Sequence, residues 1–254
     1  MKKVLRSVHA NRGIQVAYRT AMSRMIREMH DSVVFWVTAG YRKTPPVLAQ
    51  DATPSQEMQK ILRDLAERWK RKFEDNAPKI AELYLRKMFN SSDNSLKQAL
   101  KDAGWSVKFT MTPAVRDAFN ASLAENVGLI KSIPDRYLQQ VEGIVMRSYS
   151  GGGSLKDMIS DIVQLYPQAK NRAELIARDQ SSKANSVINK ARPLELGLRR
   201  AKWMHSHGGK EPRPDHLHAD GKEYDIEKGC LISGEYIQPG EKINCRCTSR
   251  ILLP

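Results

Sequence analysis

A chain of 254 residues with 41% hydrophobic and 28% charged residues has enough apolar surface to form a core, which excludes a wholly disordered protein. The length exceeds that of one typical domain, so two modest domains are expected. The formal net charge of +14 predicts binding to a polyanion such as nucleic acid, or to an acidic protein surface.

Half of this positive charge lies at the N-terminus. Residues 1–43 contain nine Lys or Arg against two acids, a net charge of +7. Apolar residues recur every three or four positions over residues 13–38, which predicts one amphipathic helix with the basic side chains mostly between them. We expect this segment to bind double-stranded DNA nonspecifically or an acidic protein; a solvated basic face without a partner is the alternative. The residues assigned to this contact are Lys2, Lys3, Arg6, Arg12, Arg19, Arg24 and Arg27.

No membrane partner is expected from the apolar segments. The run Val33–Val37 is far below the roughly 20 residues that a membrane-spanning helix needs. The three cysteines are an odd number confined to the last 25 residues, which is atypical of a secreted disulfide framework and favours a reducing compartment.

The middle of the chain predicts further helices. The apolar stripe over residues 58–73 indicates a long amphipathic helix, and a polar cluster over residues 90–95 is predicted to end it. Residues 105–111 alternate apolar and polar side chains, which predicts either a half-buried strand or an extended linker.

Four more helices are predicted up to residue 200. Thr112–Pro113 and Ile133–Pro134 each provide a helix start, and a last helix is expected over residues 171–190. The glycines in residues 150–154 predict a flexible joint, in which Ser154 caps the helix that follows.

The residue pattern changes after residue 200. Turn-forming residues recur over residues 203–254, so short strands joined by tight turns are predicted, with Asp220–Gly221 as a hairpin turn. The predicted fold class is therefore α+β: a mostly helical N-terminal two thirds and a small, turn-rich, β-containing module at residues 201–254.

This C-terminal segment also contains the side chains that could bind a metal ion or take part in catalysis. Imidazole and thiolate groups are the ligands that zinc prefers, and the candidate ligands are Cys230, Cys245, Cys247 and His216. The C-x-C spacing of Cys245 and Cys247 differs from the common C-x2-C zinc motif. We therefore expect no cofactor, and a structural zinc ion stays as the alternative.

A catalytic interpretation is also open. Asp215 with His216, or His218 with Asp220, could act as an acid–base pair, or Cys230 or Cys245 could act as a nucleophile with a histidine base. A zinc-dependent hydrolase or nuclease could also use the His and Cys cluster. The sequence contains neither the G-x4-G-K phosphate loop nor the G-x-S-x-G nucleophile elbow. An architectural role, in which these side chains brace loops, is the favoured interpretation.

An ordered set of residues in this part of the chain carries a resemblance. The set comprises Arg178, Asp179, Gln180, Trp203, Arg213, His216, Asp220, Gly221, Pro239, Gly240, Asn244, Cys245 and Cys247. In this order, ending in the NCRC sequence, it resembles the phage Mu F-like minor head protein family, and residues 125–134 are similar to the segment that precedes that domain. The resemblance covers about residues 113–250.

The resemblance implies a division into a basic helical region, 1–112, and a Mu F-like domain, 113–254. It implies a minor head protein of a tailed double-stranded DNA bacteriophage, with a structural set of motif residues, no catalytic residue and no enzymatic activity. The expected partner is the portal protein, with the major capsid or scaffold protein as further candidates. The expected location is the capsid interior or portal vertex of the virion, and the host cytoplasm during assembly; the expected roles are head morphogenesis and DNA packaging or delivery.

Overall fold

A computed structural model describes residues 4–46, 53–208 and 211–254. The helices are α1 (Arg12–Lys43), α2 (Thr53–Asp102), α3 (Pro113–Gly151), α4 (Leu155–Glu195) and the short α5 (Pro214–His218). The strands are β1 (Arg200–Met204), β2 (Glu223–Asp225), β3 (Cys230–Ile232), β4 (Glu235–Ile237) and β5 (Thr248–Ile251). Four long helices followed by short antiparallel strands confirm the predicted α+β class.

The chain folds into two compact units. The helical unit comprises Tyr18–Ala81 and Glu125–Ile176. The mixed unit comprises Met1–Ala17, Glu82–Ala124 and Ala177–Pro254, and it contains all five strands of the described residues. The predicted domain division at residues 112 and 113 stays a prediction.

The helical unit has a core of apolar stripes from segments of α1, α2, α3 and α4. Along α1, Met22, Ile26 and Met29 are fully buried at spacings of four and three, as the sequence pattern predicts. A buried polar contact crosses this core, where the imidazole Nδ1 of His30 lies 2.6 Å from the hydroxyl of Tyr137. None of the helices in the described part of the chain combines the length and apolar character that crossing a bilayer requires.

The predicted end of α2 in the polar cluster at residues 90–95 is wrong, because the helix continues to Asp102. The polar side chains are satisfied without unwinding it: the hydroxyl of Ser92 donates to Oδ1 of Asn185 at 2.9 Å. Leu96 and Leu100 are buried immediately beyond, so packing extends the helix through the polar segment.

Two other predicted helix starts are also wrong. Pro134 lies inside α3, and the residues predicted as a separate helix at 171–190 belong to the single helix α4. Ile130, Ile133 and Tyr137 are buried on both sides of the proline, so one apolar stripe runs through it. A proline can be retained inside a helix when tertiary packing outweighs the lost backbone hydrogen bond.

The glycine-rich segment is shorter than predicted, since α3 runs to Gly151 and α4 begins at Leu155. Gly152 has a φ of +65°, the left-handed conformation that commonly ends a helix. The predicted cap is confirmed, because the backbone N–H of Asp157 donates to the Ser154 hydroxyl at 3.1 Å.

The mixed unit contains a three-stranded antiparallel sheet in the order β2–β1–β5 and a separate β3–β4 hairpin. The N-terminal segment extends the sheet beyond β5: Val4 forms a bridge with Leu252, and the N–H of Leu5 donates to the carbonyl of Ile251 at 2.9 Å. Val4 and Leu5 are therefore packed against the last strand and the residue that follows it.

Asp220–Gly221 is not a hairpin turn, which corrects the prediction. It follows α5 and leads into β2, where the N–H of Gly221 donates to the Trp203 carbonyl at 2.8 Å. The tight hairpin of this unit is instead Ser233–Gly234, where both residues have positive φ as a type I′ turn requires.

Residues 103–112 join α2 to α3 without forming a helix or a strand. Trp105, Val107 and Phe109 are half-buried against the mixed unit's core, so the alternating pattern reports burial without strand pairing. The extended-linker alternative is the better description of this segment.

One buried arginine connects this linker to two helices. Arg192 of α4 is 3% exposed and donates to both carboxylate oxygens of Asp93 at 2.8 Å. It also donates to the Thr110 carbonyl at 2.6 Å and to Glu195 at 3.0 Å, while its guanidinium lies 4.8 Å from the centre of the Phe109 ring. This geometry fixes the linker against α2 and α4.

Candidate metal centre in the C-terminal module

His216 is presented by the single helical turn α5. Pro214 begins this turn, which suits the first helical position because proline has no N–H to donate. The His216 side chain is buried, and its ring meets the indole of Trp203 edge to face with centroids 5.2 Å apart. Trp203 is itself fully buried on β1, so the imidazole orientation is set by the core of the module.

Cys245 and Cys247 approach His216 from the segment that leads into β5. Both thiols are buried, whereas Arg246 between them is exposed. Successive side chains of extended backbone point to opposite sides, so a C-x-C spacing turns both sulfurs inward. The C-x-C spacing is therefore compatible with two thiols that face one histidine.

The three side chains converge at one point. Sγ of Cys245 lies 3.4 Å from Nδ1 of His216, and Sγ of Cys247 lies 3.7 Å from the same nitrogen. All three potential ligand atoms lie within 4.8 Å of one another. His216, Cys245 and Cys247 are called the Cys2His cluster below.

The pKa values of the two thiols are shifted in opposite directions because the thiols share a hydrogen bond. That bond lowers the pKa of Cys245 in spite of burial, and the backbone N–H groups of Cys247 and Gly240 lower it further. The same bond and burial raise the pKa of Cys247. The pair therefore loses one proton readily and holds the second, as expected when two acids share a site.

A cleft of about 840 Å³ adjoins the Cys2His cluster, and the cluster residues form part of its wall. Among the described residues, its charged lining consists of Arg178, Arg213 and Arg246 with one acid, Glu211; the buried His205 also lines it. Three guanidinium groups against one carboxylate give the cleft a positive charge, which favours anions.

The loop that carries the thiols is held against α4. Oδ1 of Asp179 accepts the N–H of Asn244 at 2.7 Å, and Asn244 has a φ of +61°. Gly240 has a φ of +88°, and a Cβ there would lie 3.0 Å from the Ser182 carbonyl oxygen. From the other side, Arg213 donates to the Ile243 carbonyl at 2.8 Å.

Asp220 organises the opposite wall of the cleft. Its Oδ1 accepts the N–H of His205 at 2.8 Å, and its Oδ2 lies 3.0 Å from Nε2 of His207. The His205 hydrogen bond is the largest cause of the lowered pKa of Asp220. Asp220 thus contacts the 205–207 loop. These contacts replace the predicted pairing of Asp220 with His218.

The carboxylate of Asp215 is also used for bracing. It accepts the backbone N–H of His216 at 2.8 Å and the hydroxyl of Ser233 at 3.0 Å. Burial opposes ionisation here, but these hydrogen bonds leave the pKa of Asp215 lowered overall. Through these hydrogen bonds Asp215, itself a residue of α5, supports the turn that presents His216.

The remaining predicted site residues fall into three groups. Gln180 and Pro239 are buried parts of the module, and Gly221 forms the turn before β2. Cys230 is buried in the apolar core on β3 and is not part of the Cys2His cluster. Burial raises the pKa of the Cys230 thiol, which is typical of an inert core cysteine.

None of the described basic N-terminal residues lines the cleft beside the Cys2His cluster. Lys2 and Lys3 lie outside the described residues. Arg6 pairs with Asp102 at 3.5 Å, Arg19 pairs with Glu174 at 3.7 Å, and Arg27 donates to the Tyr166 hydroxyl at 3.2 Å. Arg12 and Arg24 are exposed on α1.

Several contacts that position the module were not predicted from the sequence. Asn185 is buried, and its side-chain amide donates to the Val8 carbonyl at 2.9 Å, which fixes the N-terminal segment. Arg192 and Asp93 were also missed. The signal for these contacts is a polar side chain on the buried face of a helix, but the sequence does not reveal the partner 99 residues away.

Comparison with known proteins identifies the region that contains this site. Residues 139–250 match the family model described as phage Mu protein F like protein, which covers less than half of the chain. An uncharacterised protein of Haemophilus influenzae is 35% identical over 136 residues, 54% of this chain but 30% of that protein's length. No solved structure matches the chain. The predicted resemblance to the phage Mu F-like family is confirmed over residues 139–250, with the Cys2His cluster near the end of the matched region.

Proposed function

We propose that this chain is a minor head protein of a tailed double-stranded DNA bacteriophage, associated with the portal vertex and the procapsid interior. Its role is in head morphogenesis and in DNA packaging or delivery, and it is not an enzyme. The observation that carries the proposal is the match of residues 139–250 to the phage Mu F-like family, which suggests head morphogenesis.

The use of the motif side chains supports a structural role for the module. Asp179 and Asp220 each accept a backbone N–H, and Arg213 donates to a backbone carbonyl. Side chains that satisfy loop backbone in this way stabilise a turn-rich module whose apolar core is small.

The charge of the chain supports DNA and the portal protein as partners. Neutralising phosphates with Lys and Arg releases counterions, which gives binding that is independent of sequence and sensitive to salt. Arg24 and Arg27 are exposed on α1, and the ion pair of Arg19 is itself half-exposed, so salt or a polyanion can compete with it. The same groups could dock on an acidic portal, major capsid or scaffold surface.

The proposal is tested with particles produced by the phage that encodes the chain. Mass spectrometry of purified virions and procapsids is expected to detect the chain at few copies per particle. A phage with an early stop codon should produce heads that are defective in assembly, DNA content or infection. Normal infectious particles without the chain would refute the proposal.

A second candidate is a zinc-dependent hydrolase or nuclease, favoured by one observation. The Cys2His cluster lies in the wall of the basic cleft, where Glu211 could act as a general base. Glu211→Gln separates the two functions. A nuclease would lose its activity on DNA, whereas a structural head protein would still complement the stop-codon phage.

A further inference from the structure

We propose that His216, Cys245 and Cys247 bind one Zn²⁺ ion, with the fourth coordination position open to the basic cleft. This site does not depend on the proposed function, since a head protein and an enzyme could each contain it. The inference rests on the distances in the Cys2His cluster, on the donors around its sulfurs and on the lining of the cleft.

The distances fit tetrahedral zinc. Bonds of about 2.3 Å to sulfur and about 2.05 Å to nitrogen at the tetrahedral angle place each sulfur about 3.6 Å from the nitrogen. The two observed separations from Nδ1 of His216 are 3.4 Å for Cys245 and 3.7 Å for Cys247. Both S···N separations therefore match those that a tetrahedral zinc ion bound by Nδ1 and the two sulfurs requires.

Hydrogen bonding alone accounts poorly for this arrangement. Nδ1 of a neutral imidazole carries either one proton or one lone pair, so it forms one well-directed hydrogen bond. Both sulfurs nevertheless approach the same Nδ1 of His216, and all three side chains are buried. One metal ion could instead be bound by all three atoms at once, the nitrogen of His216 and two thiolate sulfurs.

Buried N–H groups lie beside the two sulfurs. The backbone N–H groups of Gly240 and Cys247 face the sulfur of Cys245. The indole N–H of Trp203, which lies beside Cys247, is fully buried and has no hydrogen-bond partner among the described residues. A zinc-bound thiolate would satisfy this donor, as donors to metal-bound sulfur do in other sites.

The residues provide three ligands, and the cleft provides space for the fourth. Zinc sites with three protein ligands hold water or another small ligand in the remaining position. Here that position faces a cleft lined by Arg178, Arg213 and Arg246. The fourth ligand is thus water or hydroxide, replaceable by an oxyanion of the phosphate class.

The first test measures metal content. Full-length protein, purified under reducing conditions and dialysed against metal-free buffer, is expected to retain one Zn²⁺ per chain by elemental analysis. Cys245→Ser, Cys247→Ser and His216→Ala should each reduce this to below about 0.1. Cys230→Ala is the matched control and should retain one ion, because Cys230 is a buried cysteine of the same module outside the cluster.

A second test does not depend on variants that fold. Zinc is removed from the wild-type chain with a chelator and replaced by Co²⁺, whose absorption reports ligand type and geometry. Intense visible bands of tetrahedral cobalt and a thiolate-to-cobalt charge-transfer band are expected, and inorganic phosphate should shift the visible bands.

Three results would overturn the inference. The first is folded wild-type protein that retains no Zn²⁺ and gives an octahedral cobalt spectrum, and the second is full zinc content in Cys245→Ser. The third is a Cys245–Cys247 disulfide in protein purified under reducing conditions. Cobalt bands that do not respond to phosphate would refute the open fourth position.

Discussion

Replacing Arg192 by methionine should destabilise the mixed unit strongly, because it removes one partner of a buried ion pair. The Arg192 side chain is 3% exposed and that of Asp93 is 16% exposed, so solvent replaces the lost partner only in part. Removing one member of a buried pair typically costs about 3–5 kcal/mol, because the other charge is left without compensation. Since Asp93 keeps some solvent access, the lower part of this range is expected.

The structure predicts how related variants should rank. Arg192→Lys retains the charge but cannot form both bonds to Asp93 together with the Thr110 contact, so a loss of about 1–3 kcal/mol is expected. In the double variant Arg192→Met with Asp93→Asn, the buried charge of Asp93 is removed together with that of its partner. The two effects should therefore be less than additive by about 2 kcal/mol.

The assay is urea unfolding followed by circular dichroism, with the free energy of unfolding obtained by linear extrapolation. Glu227→Gln is the control, because Glu227 pairs with Arg199 on the surface of the same unit with both side chains more than 60% exposed. Such a pair contributes less than about 1 kcal/mol. If Arg192→Met destabilised the protein no more than Glu227→Gln, the structural role assigned to Arg192 would be refuted.

Three further perturbations have expected outcomes. Gly240→Ala should lower the melting temperature more than Gly234→Ala. Both glycines have positive φ, but only a Cβ at position 240 would meet a backbone oxygen, at 3.0 Å. Equal effects of the two variants in differential scanning calorimetry would contradict this close approach. The lowered pKa of Asp220 means that its contribution to stability is complete above the ordinary value of 3.8 and is lost as the pH falls through the folded pKa. Asp220→Asn should therefore cost about 1 kcal/mol at pH 7 and reduce the loss of stability on acidification, measured by urea unfolding at each pH; an unchanged acid dependence would refute this. Alanine at both Arg24 and Arg27 should reduce the slope of log K against log salt for nonspecific DNA by about 2 in fluorescence anisotropy titrations, and an unchanged slope would remove these residues from the contact.

The periodicity of apolar residues predicted the helices but not their lengths. Polar residues at 90–95 and the proline at 134 are local signals for an end, yet α2 and α3 continue through them. The decisive contribution is tertiary, because partners such as Asn185 for Ser92 belong to distant parts of the chain. Local sequence therefore predicts which face of a helix is buried more reliably than where the helix ends.

The site was predictable in its composition but not in its geometry. The sequence indicated His216, Cys245 and Cys247 as potential ligands together with Cys230, and the structure brings only the first three together. The C-x-C spacing argued against a zinc site because common structural zinc sites have C-x2-C turns. In backbone that leads into a strand, a spacing of two places both sulfurs on one side, which depends on local conformation that residue types do not specify.

The N-terminal segment illustrates a further limit. Its charge predicted a contact with a polyanion, while the pairing of Val4 and Leu5 with the end of the chain had no signal in the sequence. A pairing across nearly the full length of the chain depends on topology. Two apolar residues between basic ones are too short a pattern to predict such a pairing.

The most direct test of the proposed function is an asymmetric cryo-electron microscopy reconstruction of the procapsid and virion. We predict density for this chain at or beside the portal vertex on the inner side of the shell, in few copies, with the residue 139–250 region recognisable by its α4 helix and small sheet. A reconstruction in which tagged chain is absent from both particles, or is confined to the outer surface away from the portal, would contradict the account.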